Sequence, residues 1–135
     1  MSAISDLEAG AALPEITYEI TRADLVAYAA ASGDQNPIHQ DEEIALAVGL
    51  PGVIAHGMYT LALVGRALGE WAPGAEVVEL GSKFVAPVVV PATGVARVTV
   101  TGTVGERTDD LLALALVVTS DGTKVLGAPR ATIRG

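Results

Sequence analysis

Two short stretches of this 135-residue chain carry side chains that can move protons. The first reads Asp34-Gln35-Asn36-Pro37-Ile38-His39; the second is His56-Gly57. Pro37 disfavours helix at Asn36, so the first stretch reads as a loop. Such a loop can aim the Asp34 carboxylate and the His39 imidazole into one cavity. Histidine titrates near neutrality and can accept a proton under ordinary conditions. Gly57 opens a long apolar run that reads as a helix, and the first N–H groups of a helix have no partner inside it. They carry partial positive charge and suit a carbonyl oxygen becoming an oxyanion. Glycine leaves that oxygen's approach unobstructed. A base, an acid and an oxyanion donor are the parts needed to abstract a proton next to a thioester. Asp34 and His39 are therefore the candidate catalytic pair, and the Gly57 amide the candidate oxyanion donor. Asn36 is expected in support, holding the loop through an Asx turn, and His56 is expected to hydrogen-bond the same loop. The spacing of the histidines and carboxylates matches no common zinc pattern, and no metal is expected.

The elements around these residues must position them. Ile16 to Ile20 alternates apolar and polar residues, as a half-buried strand does. Thr21 can cap a helix with Asp24 in its first turn, and Gly33 suits the stop. The chain then delivers Asp34. Asp41 is expected to cap a short helix containing Glu42 and Glu43, which Gly49 and Pro51 end. Gly57 to Ala72 is apolar nearly all round, with Met58, Leu61, Ala62, Gly65, Leu68 and Gly69 in one stripe, and a helix of that kind is buried. Its glycines cost helix propensity, which makes sense if a sheet or another subunit packs close. Strands are expected at Val77–Leu80, Phe84–Val90, Val95–Thr101, Leu111–Thr119 and Lys124–Ile133. A turn is expected at Gly105 to Asp110 and a hairpin at Asp121-Gly122. Pro129 demands an edge or a bulge in the last strand. One buried helix followed by strands with hairpin-scale turns gives α+β with an antiparallel sheet on a helix. Residues 1–12 are small and polar without a period and read as a flexible arm on a single domain spanning 1–135.

Half of the residues are hydrophobic but only 4% are aromatic, so the core is aliphatic. There is no cysteine, hence no thiolate nucleophile or disulfide. No signal peptide opens the chain and no stretch is apolar enough to span a bilayer, so a cytoplasmic protein without a membrane partner is expected. Net charge is −8. Residues 1–70 hold ten acids and two bases, while residues 71–135 hold six of each. Nucleic acid is an unsuitable partner for such a surface. A phosphate-bearing carrier would have to use cations of the C-terminal half: Lys83, Arg97, Arg107, Lys124, Arg130 or Arg134.

Taken together, Asp34-x-Asn36-Pro37-Ile38-His39-x-Asp41 and Ile54-Ala55-His56-Gly57-Met58 resemble the MaoC-like (R)-specific enoyl-thioester hydratases and dehydratases. Within that family the likeness is nearest the catalytic B subunits of actinobacterial (3R)-hydroxyacyl-ACP dehydratases. It runs from about Leu13 to the C-terminus. The resemblance implies a hot-dog fold, a long helix wrapped by a curved antiparallel sheet. It implies reversible syn hydration of trans-2-enoyl thioesters to (3R)-3-hydroxyacyl thioesters, carried on CoA or acyl-carrier protein, with no further cofactor. It also implies side-by-side pairing of two hot dogs, as a homodimer or with a related subunit. One departure is Gly65, which stands where many such hydratases carry a serine facing the site. Two rival readings are a hot-dog thioesterase, which would use a lone carboxylate, and a non-catalytic acyl-binding subunit, which would lack the Asp/His pair.

Overall fold

The structure, a computed structural model, describes residues 7–134. The chain runs β1 (Ala12–Ile20), α1 (Arg22–Ser32), a 3-10 turn (Pro37–His39), α2 (Glu42–Ala47), α3 (Gly57–Trp71), β2 (Glu76–Phe84), β3 (Ala96–Thr108), β4 (Leu111–Ser120), the two-residue β5 (Thr123–Lys124) and β6 (Leu126–Arg134). The main strands form one antiparallel sheet in the order β1-β3-β4-β6-β2, with β5 paired to β4. α3 touches β1 and β2, which lie at opposite edges of that sheet, and also β3. A sheet whose two edges both reach one helix must curve around it. This is the α+β hot-dog arrangement.

Local chemistry explains the helix ends. Thr21 and Asp24 form a reciprocal capping box at the start of α1, and Gly33 closes it in the left-handed conformation at φ 81°. The Asp41 side chain accepts from the Ile44 N–H at 3.3 Å and caps α2. Thr60, Leu63, Val64, Ala67, Leu68 and Trp71 of α3 are buried. They pack among the aliphatic side chains of the sheet, including Val98, Val100, Leu114, Leu116 and Val118. Trp71 also donates its indole N–H to the Pro14 carbonyl at 2.8 Å, fastening the end of α3 to β1. Gly102 permits this closeness: a Cβ there would lie 2.9 Å from Leu13 and 3.4 Å from Trp71.

Four expectations need correction. α3 is not enclosed all round, because Met58, Ala62 and Gly69 of the anticipated stripe are not all covered: Met58 and Ala62 are exposed, and nothing lies within 4 Å of a Cβ placed on Gly69. Of the anticipated strand at 84–90 only Phe84 is in the ladder, as the end of β2 opposite Leu126; residues 85–90 leave it. Val88 and Val90 are buried there, but they pair with the stretch before α3 through Ala55 N–H to the Val88 carbonyl, Val90 N–H to the Val53 carbonyl and a bridge from Ile54 to Val89. β3 runs on to Thr108, and the turn falls at Asp109-Asp110, with Asp109 at φ 57°. The arm ends earlier than position 12: Ala12 belongs to β1, Gly10 donates to the Val104 carbonyl, and Val104 donates back to the Ala11 carbonyl. Residues 1–6 of that arm lie outside the described residues. Pro129 sits at a bulge: the β2–β6 register shifts between Gly81/Arg130 and Lys83/Gly127, and Ala128 takes φ 45°.

Candidate active site

Asp34 follows directly on the Gly33 cap, and the loop then folds onto its own side chains. The Asp34 N–H donates to Ser32 Oγ, and the Asn36 N–H donates to Asp34 Oδ1, both at 3.2 Å. The Ile38 N–H donates to Asn36 Oδ1 at 3.2 Å, an Asx turn that starts the 3-10 turn. One carboxylate oxygen of Asp34 is thus held by the loop, and the other is left to face His39. Asp34 Oδ2 lies 4.0 Å from His39 Nε2. That gap is too long for a direct hydrogen bond and suits a bridging water.

His39 is 7% exposed, and its Nδ1 lies 2.7 Å from the Ile54 carbonyl oxygen. A carbonyl can only accept, so Nδ1 carries the proton. In the neutral ring Nε2 is then a bare lone pair directed towards the carboxylate side of the site. The Ile54 N–H donates in turn to the Ile38 carbonyl at 3.2 Å, which ties the loop to the stretch before α3.

His56 is the N-cap of α3 and is 1% exposed. Its Nε2 donates to the backbone carbonyl of Asp34 at 3.1 Å. Its ring stacks on His39, with centroids 3.8 Å apart and planes 24° apart, and meets the edge of Tyr28 at 4.8 Å. His56 Nδ1 is buried without a hydrogen-bond partner. The two rings therefore lock the positions of Asp34 and His39 relative to the helix start.

Asp34, His39 and His56 each place one ligand-type atom within 4.8 Å of the others. Imidazole lone pairs lie in the ring plane, and these two rings are stacked nearly parallel. Their lone pairs therefore do not converge on one ion at the roughly 2.0–2.1 Å that zinc demands.

A cavity of about 380 Å³ opens beside the pair. Its wall includes His39, Gly57, Thr60, Leu50, Phe84 and Val85 and is otherwise aliphatic. Asp34, whose side chain is 51% exposed, is not part of that wall and reaches it across the gap to His39. The His56 side chain makes no capping hydrogen bond at α3, so it does not consume the first helical N–H groups. Gly57 is tightly fitted: a Cβ there would meet the Phe84 ring at 3.1–3.2 Å. Gly65 is absent from the wall and faces Leu80 instead.

Sequence reasoning missed Thr60, Phe84 and Leu50 as wall residues. Only Thr60 had a legible signal. It lies three residues after Gly57 in a helix, and positions i and i+3 share a face. Phe84 and Leu50 arrive through tertiary packing.

Known proteins bear on this geometry. Residues 8–120 match the model of the MaoC like domain. Over 80 residues the chain is 42% identical to the 3-hydroxyacyl-thioester dehydratase X of Mycobacterium tuberculosis, covering 59% of this chain and 28% of that protein. Over 105 residues it is 38% identical to the 3-hydroxybutyryl-CoA dehydratase of Methylorubrum extorquens, covering 76% of this chain and 66% of that one. The chain therefore spans less than two thirds of either curated relative. Among solved structures, the R-hydratase PhaJ1 from Pseudomonas aeruginosa is similar at 30% identity and TM-score 0.86, over 97% of this chain and 83% of that one.

Proposed function

From the premise that this chain belongs to the MaoC-like domain family, we propose that it catalyses the reversible hydration of trans-2-enoyl thioesters to (3R)-3-hydroxyacyl thioesters. The observation that carries the reading is the His39 tautomer. Its Nδ1 proton is committed to Ile54, and its Nε2 lone pair and Asp34 Oδ2 are 4.0 Å apart beside the cavity that Gly57 also lines. Two acceptors at that separation can each take one hydrogen of a single water, leaving the water oxygen free to attack.

The enoyl thioester lies in the cavity with its carbonyl oxygen on the Gly57 amide at the helix N-terminus. As the water oxygen bonds to Cβ, one of its protons passes to the pair and negative charge moves onto the thioester oxygen. The pair returns one proton to Cα, and both residues end as they began. The new hydroxyl and the new proton arrive from the same side of the planar substrate, which is syn addition. Dehydration is the same path reversed. Asn36 keeps the loop in shape, and His56 holds Asp34 by its backbone. The chemistry needs no metal or nucleotide; the thioester carrier, CoA or acyl-carrier protein, comes with the substrate. No helix among the described residues is long and apolar enough to cross a membrane, and the reading places the reaction in cytoplasmic acyl metabolism.

The exposed face of α3, at Met58 and Ala62, and the exposed apolar residues Val77, Val78, Phe84 and Val85 support a second hot-dog subunit, identical or related, as the partner that covers them. The test of the activity is direct: purified protein is given crotonyl-CoA and longer trans-2-enoyl-CoA thioesters, and loss of the enoyl absorbance is followed. Steady hydration is expected. Hydrolysis to free CoA in its place would establish the thioesterase, and binding of enoyl thioesters on either carrier without turnover of either kind would establish a binding subunit.

A further inference from the structure

We propose that the Thr60 hydroxyl is a second hydrogen-bond donor to the substrate carbonyl oxygen, working beside the Gly57 amide. Thr60 is 3% exposed, yet it lines the cavity. Apart from the His39 ring it is the polar side chain of that wall. None of the side-chain hydrogen bonds among the described residues involves its hydroxyl, and that oxygen is not one of the fully buried unpartnered atoms, so it is open to the cavity. A threonine inside a helix ordinarily turns its hydroxyl back onto the carbonyl four residues earlier. Here that carbonyl belongs to His56, and it already accepts the Tyr59 N–H at 3.0 Å and the Thr60 N–H at 3.2 Å. The usual outlet is taken. A hydroxyl open to the cavity and bonded to nothing in the chain needs a partner from the cavity's contents, and valine would fill the same space without that need. The cavity is where the missing partner comes from.

Position follows from helix geometry. Gly57 and Thr60 are three apart, so they present to the same side of α3, within one helical turn of each other. One oxygen lying just beyond the helix start can then receive the Gly57 N–H and the Thr60 O–H together. Gly65, the matching position for the polar residue that the resemblance leads one to expect, cannot serve, since it carries no side chain and is absent from the wall. In this chain the polar contact has moved to within one turn of the helix start. A fixed O–H aimed at the thioester oxygen gains strength as charge develops there, so it lowers the barrier more than it tightens ground-state binding.

The proposal rests on a thioester carbonyl being held in this cavity, as the hydratase reading requires. Thr60→Val removes the donor and keeps the shape, and Thr60→Ser keeps the donor. With crotonyl-CoA, Thr60→Val is expected to lower kcat by ~10- to 100-fold with KM within about threefold, while Thr60→Ser stays within about threefold of wild type in both. An activity-independent arm uses unreactive butyryl-CoA labelled with carbon-13 at the carbonyl. Difference infrared spectra should show the bound C=O stretch lowered in wild type and Thr60→Ser, and partly returned towards the solution frequency in Thr60→Val. If Thr60→Val does not fold by circular dichroism, Thr60→Ala takes its place. A wild-type rate in the donor-less variant, an equal loss in Thr60→Ser, a carbonyl frequency indifferent to position 60, or no bound carbonyl signal would each overturn the proposal. A Thr60-dependent carbonyl shift in a protein that does not hydrate enoyl thioesters would sink the hydratase reading and leave the Thr60 contact standing.

Discussion

The loop that carries Asp34 and His39 and the edge strand β2 both contribute to one cavity, and they are built on opposite terms. In the loop nearly every polar group has an address. Asp34 is bonded through its N–H, one carboxylate oxygen and its carbonyl; Asn36 is bonded through its backbone and side chain; His39 is bonded through Nδ1. On the β2 side, Val77, Val78, Phe84 and Val85 are exposed apolar side chains at a sheet edge. The geometry of the proposed catalytic pair is therefore fixed by hydrogen bonds within one chain. The wall of the cavity is apolar and open, and in the proposed reading a second subunit covers it. An unprotected apolar edge invites pairing with another chain.

The largest effects are expected in the loop. His39→Ala and Asp34→Asn should each lower turnover of enoyl thioester by ~100-fold or more, with circular dichroism and thermal unfolding close to wild type for Asp34→Asn. A folded variant of either kind with a near-normal rate would break the contrast at its stronger end. Next comes Gly57→Ala, where loop and wall meet. The added methyl would press on Phe84 at 3.1 Å, and we expect ~10-fold or more lower turnover from the displaced helix start. Phe84→Ala in the same chain should recover part of that loss. If the double variant is no better than Gly57→Ala alone, crowding against Phe84 is not the cause.

His56→Leu should come third. It breaks the bond to the Asp34 carbonyl and the stack on His39. A loss of ~1–3 kcal/mol in unfolding free energy is expected, as for the removal of a buried hydrogen-bonding partner, with a smaller fall in rate than for His39→Ala. Denaturant titration and kinetics on the same samples decide it. The smallest effect on the subunit itself is expected at the edge. Val78→Lys places a charge on an exposed strand position, so it should cost the fold less than ~0.5 kcal/mol. It should nevertheless weaken association, and light scattering against concentration would show this. A Val78→Lys protein that associates as wild type does would remove β2 from the interface.

What was legible in the sequence follows the same division. The Thr21/Asp24 box, the Gly33 stop and the Asp41 cap are bonds between residues no more than four apart, so residue type and spacing announce them. The run to Val90 reads as a strand because its valines favour extended backbone, and Val88 and Val90 are buried as a strand's inward residues are. That pattern does not say which backbone it pairs with, and Pro87 and Pro91 lack the N–H groups a ladder would use. Its partner turned out to be Val53 to Ala55. The same limit hid Phe84, which reaches Gly57 from 27 positions away. The apolar stripe of α3 was read as buried because hydrophobicity alone does not say whether the same chain covers a face, and Met58, Ala62 and Gly69 are exposed.

The central claim is that Asp34 and His39 act on one water from one side of the substrate, without a metal. Its most direct test is hydration of crotonyl-CoA in deuterium oxide with EDTA present, followed by chiral and stereochemical analysis of the 3-hydroxybutyryl product. The account predicts (3R) product only, with the Cα deuterium on the same face as the hydroxyl and a rate indifferent to the chelator. A (3S) or racemic product, deuterium on the opposite face, or activity abolished by EDTA would contradict it.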